Sequence, residues 1–97
     1  MTITVTRSGG FAGSSETLAS VDTTRMDAGT AQRIEELIKR IRFFGLPAAV
    51  SGPAVGADFF RYEVQIRDSD RQHHVAFVDD DGPETAGLRE LVRSVTG

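Results

Sequence analysis

DFFRYEVQIR, residues 58–67, changes character at almost every step. Phe60, Tyr62, Val64 and Ile66 fall on one side, and Arg61, Glu63, Gln65 and Arg67 on the other. Successive side chains of a strand point to opposite faces, so the first set is expected to face a core and the second water. The polar turn DSDR (68–71) leads into QHHVAFVD (72–79), a further strand with Val75 and Phe77 on one face. Two such runs joined by a short polar turn form an antiparallel hairpin. Upstream, TITVTR (2–7) alternates Ile3 and Val5 with threonines and reads as a half-buried strand. SSETLASVD (14–22) is a weaker strand, and the glycine-rich stretch between the two reads as a wide hairpin loop.

From Ala31 the period changes. Ala31, Ile34, Leu37, Ile38 and Ile41 recur at spacings of three and four, opposite Arg33, Glu35, Glu36, Lys39 and Arg40. This is an amphipathic helix, capped by Asp27 and closed by FFGLP, with Gly45 expected at φ > 0 and Pro47 preventing continuation. Residues 48–57, AAVSGPAVGA, read as a loop, and one of that length is often functional. Pro83 opens a second helix with the apolar stripe Leu88, Leu91, Val92, Val95. The expected fold is α+β, in the order ββαββα: a four-stranded antiparallel sheet with two helices on one face. If the first helix climbs back along the second strand, the 8–13, 45–57 and 79–82 segments gather at one pole. That pole is the natural binding surface.

Ninety-seven residues suit a single domain, 1–97. Hydrophobic content of 39% and charged content of 26% argue against disorder. With no cysteine there is no disulfide framework and no thiolate chemistry. The N-terminus lacks a basic stretch followed by an apolar one, and nothing approaches the ~20 apolar residues of a membrane span. A soluble, cytoplasmic protein without membrane association is expected. The net charge of −3 is spread in mixed signs, with no basic stripe or aromatic–cationic platform for nucleic acid.

Chemistry-bearing residues are present but unconnected. His73 and His74, as strand neighbours, point to opposite faces and cannot chelate one metal; one is expected to be partly buried and the other solvated. Asp79, Asp80 and Asp81 lack the spacing of a calcium loop and suit a helix cap and dipole complement. The Gly9-Gly10 pair precedes no phosphate-loop motif. No spacing links a serine, a histidine and an aspartate into a triad. A zinc site is not expected, and a small, unrecognised enzyme stays open as a reading. Phe43, Phe44, Phe60, Tyr62 and Phe77 read as core, whereas Phe59, out of phase with the inward set, is open between covering the far face and joining a patch.

SGGFAG, residues 8–13, sets three glycines around one large aromatic. Glycine serves where φ > 0 or a close approach of another surface is needed, and a phenylalanine left in such a place wastes apolar area. Either Phe11 turns inward as core or it is presented to a partner.

ITVTRSGGFAG, the helix ending RFFGLP, GADFFRYEVQI and HHVAFVDDDGPETAGLRELV, in that order, resemble the emfourin family. The resemblance spans nearly the whole chain, most specifically in SGGFAG and in the pattern of Ala57, Asp58, Phe60 and Tyr62. It implies a small bacterial proteinaceous inhibitor of thermolysin-like zinc metallopeptidases, protealysin in particular. Such a protein has no catalytic residue, cofactor or metal of its own, is monomeric when free, and has for partner a peptidase often encoded nearby. On this reading Ser8, Gly9, Gly10, Phe11, Ala12 and Gly13 enter the enzyme's cleft, while Pro53, Ala54 and Val55 pack on its rim. A non-inhibitory interaction module using the same pole is the alternative.

Overall fold

The computed structural model describes residues 1–9, 15–50, 60–78 and 83–96. Within them lie strands β1 (Thr2–Gly9), β2 (Ser15–Asp22), β3 (Ala49–Val50), β4 (Phe60–Asp68) and β5 (Arg71–Val78), and helices α1 (Ala28–Arg40) and α2 (Ala86–Thr96). Single 3-10 turns occupy Thr23–Arg25, Phe43–Gly45 and Pro83–Thr85. Neither helix is long and apolar enough to cross a membrane.

The strands form one sheet in the order β2-β1-β4-β5-β3. The first four run antiparallel to their neighbours, and β3 is parallel to β5. The fold is thus α+β with a five-stranded mixed sheet, not the four-stranded antiparallel one expected. Two uncharged residues, Ala49 and Val50, carry no periodicity, which is why the fifth strand is silent in the sequence. Tertiary contacts recruit them. The Ala76 amide donates to the Ala48 carbonyl at 2.8 Å, and His73 Nε2 lies 2.6 Å from the Leu46 carbonyl. A carbonyl only accepts, so Nε2 carries the proton.

One face of the sheet holds the core. Ile3 opposite Ile66, and Val5 opposite Val64, which in turn faces Val75, are fully buried. Ile34, Leu37 and Ile38 of α1 and Leu88, Leu91 and Val92 of α2 close over them, together with Phe43 and Phe77. Each such side chain contributes roughly 1.5–3 kcal/mol of burial. On the other face Arg61, Glu63, Gln65 and Arg67 are exposed, as their alternation predicts. His73 is half-buried against Phe43, with ring centroids 5.6 Å apart, and His74 is exposed.

Asp27 caps α1: the Thr30 amide donates to Oδ2 at 3.0 Å and the Thr30 hydroxyl to Oδ1 at 2.7 Å. These bonds favour the carboxylate and hold its pKa below the ordinary aspartate value, the hydroxyl contributing most. Asp22 likewise accepts from the hydroxyl and amide of Thr24, with the same direction of shift.

The exit from α1 departs from expectation in two respects. The left-handed residue is Arg42, at φ 55°, and Gly45 sits within the following 3-10 turn, outside that conformation. The reversal is needed at once, because the next residue, Phe43, is completely buried. Nor does α1 climb the sheet. It begins after Thr23, whose amide donates to the Met1 carbonyl, and delivers Phe43 to His73 and Phe44 to within 3.9 Å of the Arg71 guanidinium. Both ends therefore lie at the end of the sheet where Thr2 faces Asp22 and Arg67. Thirteen residues at ~1.5 Å each span ~19 Å, enough to cross four strands spaced ~4.8 Å apart. α2 returns antiparallel to α1, with Glu90 3.1 Å from Arg40 and Gly87 against Ile41.

Candidate functional site

The register gathers several chain ends at the opposite end of the sheet. Gly9 pairs with Phe60, Ser8 lies between Ser15 and Arg61, Val78 pairs with Arg61, and Val50 with Phe77. The residues flanking 10–14 and 51–59, and the one preceding 79–82, are therefore close neighbours. Gly45, expected at this pole, lies at the other, and the short β3 rather than α1 carries the chain across. Of the sequence-derived site residues, Ser8 and Gly9 close β1 here. Gly10, Phe11, Ala12, Gly13, Pro53, Ala54 and Val55 lie outside the described residues, as do Phe59 and Asp79 to Asp81.

The inner face at this end carries a cluster that sequence reasoning missed. Arg7 keeps the inward phase of Ile3 and Val5, and its register partners are Glu16 on β2 and Tyr62 on β4. Its guanidinium forms an ion pair with the Glu16 carboxylate and lies 4.5 Å from the centroid of the Phe60 ring, and Arg7 stands directly opposite Tyr62. Tyr62 stacks in turn on Phe77, with centroids 5.4 Å apart and an 18° tilt. Above all through Glu16, the surroundings hold Arg7 above its ordinary pKa.

Phe60 was expected in the core. It shares the phase of Tyr62, Val64 and Ile66 but is 39% exposed, the only large hydrophobic side chain so exposed among the described residues. As the first residue of β4 it stands opposite Gly9, which has no side chain to cover it.

A β-bulge gives Glu16 its place. Val5 faces Ala19 and Thr6 faces Thr17, so Leu18 is the extra residue on β2. Without it, Thr17 would follow Ala19 onto the inner face and Glu16 would point away. With it, Leu18 packs against the core and Glu16 reaches Arg7. SSETLASVD reads only as a weaker strand, and a lone glutamate in that run gives no sign of the phase change.

Elsewhere the described surface offers open clefts. One of about 420 Å³ lies between α1 and α2, lined by Thr30, Leu37, Arg40, Glu90 and Ser94. Another of about 400 Å³ lies at the far end beside Met1, Phe43, Phe44, Asp68 and Arg71. Among the described residues no cluster of three or more histidine, aspartate or glutamate side chains is placed to hold a metal. The cluster around Arg7 holds no nucleophile paired with a base, and its chemistry is that of a contact surface.

A family model described as Emfourin matches residues 5–96. The chain belongs to the emfourin family. The match begins within β1 and ends at the last residue of α2, so it takes in most of β1, all the other strands, both helices, the segment 8–13 and the whole Arg7 cluster. No curated protein and no solved structure matches this emfourin.

Proposed function

We propose that this emfourin is a reversible proteinaceous inhibitor of a thermolysin-like, protealysin-type zinc metallopeptidase, and that it acts by occluding the active-site cleft. The observation that carries the reading is membership of the family across residues 5–96. The convergence of the Gly9, Ser15, Val50, Phe60 and Val78 ends on one side of the sheet supports it. In this mechanism the protein does no chemistry; the zinc and the catalytic groups are the enzyme's. Ser8 to Gly13 enter the cleft, with Phe11 filling the pocket that thermolysin-like enzymes offer to the bulky apolar residue after the scissile bond. Gly9 and Gly10 allow the backbone close to the cleft walls. Pro53, Ala54 and Val55 contact the rim. One aromatic anchor ringed by weaker contacts is how interface energy is usually distributed, and a segment held in its bound shape loses little entropy on docking.

The test is titration of the purified protein against the thermolysin-like peptidase of its own genome, following cleavage of a fluorogenic peptide at neutral pH. Saturable loss of activity near one-to-one stoichiometry is expected. Full activity at large excess of folded protein refutes inhibition and leaves an interaction module as the reading of this end of the sheet.

A further inference from the structure

We infer that Arg7 is a positioning residue for partner binding: its guanidinium ties the two strands that bear the 10–14 segment to each other and to the start of β4. The inference rests on the inhibitor reading for its consequence, but the tie itself stands on the geometry. Arg7 precedes the end of β1 by two residues, Glu16 follows the start of β2 by one, and Phe60 is the first residue of β4. One side chain of β1 thus reaches both neighbouring strands near their ends, β2 by an ion pair and β4 by a cation–π contact.

Two features of the chain favour a use for this contact. Position 7 continues the inward row of Ile3 and Val5, where an apolar residue would add more to stability, yet it holds an arginine that stays about a third exposed. The bulge at Leu18 breaks the β1–β2 ladder, and it brings the Glu16 carboxylate onto the arginine. A surface ion pair adds little to global stability, so stability alone is a poor reason for the arginine, while the bulge serves both the packing of Leu18 and the placing of Glu16. Arginine is also the side chain suited to the site. Its planar fork can bind a carboxylate while lying on an aromatic ring, and lysine, a point charge on a flexible stem, does only part of this.

The experiment compares Arg7→Gln, Arg7→Lys, Glu16→Gln and the Arg7→Gln/Glu16→Gln double variant in three measurements. In the free protein, amide exchange at Ser8, Gly9 and Phe60 is expected to accelerate roughly ten-fold in Arg7→Gln, with the core amides unchanged. The melting temperature is expected to fall by less than about 5 °C. Inhibition of the same-genome peptidase is expected to weaken roughly ten-fold in each glutamine variant, mostly through faster dissociation, with the double variant no worse than either and Arg7→Lys intermediate. Unchanged exchange at the strand ends overturns the tie whether or not the protein inhibits anything. Inhibition that survives within about two-fold overturns the positioning role. So does a harmless Glu16→Gln beside a damaging Arg7→Gln, which would make Arg7 itself a contact of the partner. If the wild-type protein fails to inhibit, the functional reading falls, and the exchange measurement still decides the tie.

Discussion

Gly87→Ala probes how closely the start of α2 is seated on the end of α1. A Cβ built at position 87 falls 2.5 Å from Ile41 Cγ2 and 3.4 Å from Ile41 Cβ. Carbon atoms in good contact stand ~3.5–4.0 Å apart, so about 1 Å of overlap must be relieved. Ile41 yields poorly, because it is β-branched with a stiff χ1 and its backbone caps α1 just before the left-handed Arg42. Overpacking of this kind costs about 1–3 kcal/mol, and the better helix preference of alanine returns ~0.5–1 kcal/mol. The expected net is a loss of roughly 1 kcal/mol, which lowers the melting temperature of a domain this size by about 4–8 °C. The sharper test is a change of sign. In an Ile41→Ala background Cγ2 is gone, and Gly87→Ala is expected to stabilise by ~0.5 kcal/mol or more. Urea unfolding followed by helical circular dichroism closes the double-mutant cycle, with unchanged m-values as the check on two-state behaviour. A Gly87→Ala that raises stability in the wild-type background, or the same effect in both backgrounds, refutes the close approach.

Three further outcomes are expected, two from the described geometry and one from the proposed function. Asp27→Ala, which leaves the Thr30 amide and hydroxyl without their acceptor, is expected to lower the melting temperature by a few degrees, whereas Asp27→Asn keeps a capping oxygen and loses less; thermal scans of the pair decide it. The carboxylates of Asp22 and Asp27 are held below their unfolded-state pKa, so their stabilisation is fully present above about pH 5 and is lost as pH falls through 4 and below. Urea midpoints between pH 3 and 6 should show that acid loss, reduced in an Asp22→Asn/Asp27→Asn variant; an unchanged acid limb would refute the assignment. Phe11→Ala is expected to abolish most inhibition with no loss of thermal stability, and a clear fall in melting temperature would instead place Phe11 in the core.

What the sequence disclosed follows from where its signal is local. β1, α1, β4, β5 and α2 each carry an apolar period, and Ile34, Leu37, Ile38, Leu88, Leu91 and Val92 are buried as that period requires. The Asp27 cap was legible because a capping side chain acts on the next turn. The misses are all tertiary. Ala49 and Val50 become a strand only because β5 lies beside them. Arg42 takes the left-handed turn because Phe43 must go inward at once, which overrides the usual preference for glycine there. The apolar period of α1 does not encode its direction across the sheet, which is set by where Phe43 and Phe44 find their partners. Ser8 and Gly9 stand at the expected end of the sheet, but the Arg7 cluster depends on one bulged residue, Leu18, whose neighbours alternate as though it were not there.

The strand order also dictates when this end of the molecule can form. β1 sits between β2 and β4, and Thr2 must meet Arg67, and Gly9 must meet Phe60, across most of the chain's length. As the chain leaves the ribosome, β1 and β2 can make only an isolated hairpin, which is marginal in water. Their edge stays unpaired until β4 has been synthesised, and such distant pairings slow folding because loop closure precedes any reward. The strand that leads into SGGFAG is therefore the first made and among the last fixed. A sheet built this way completes this end only after β4, far along the sequence from β1, has been made.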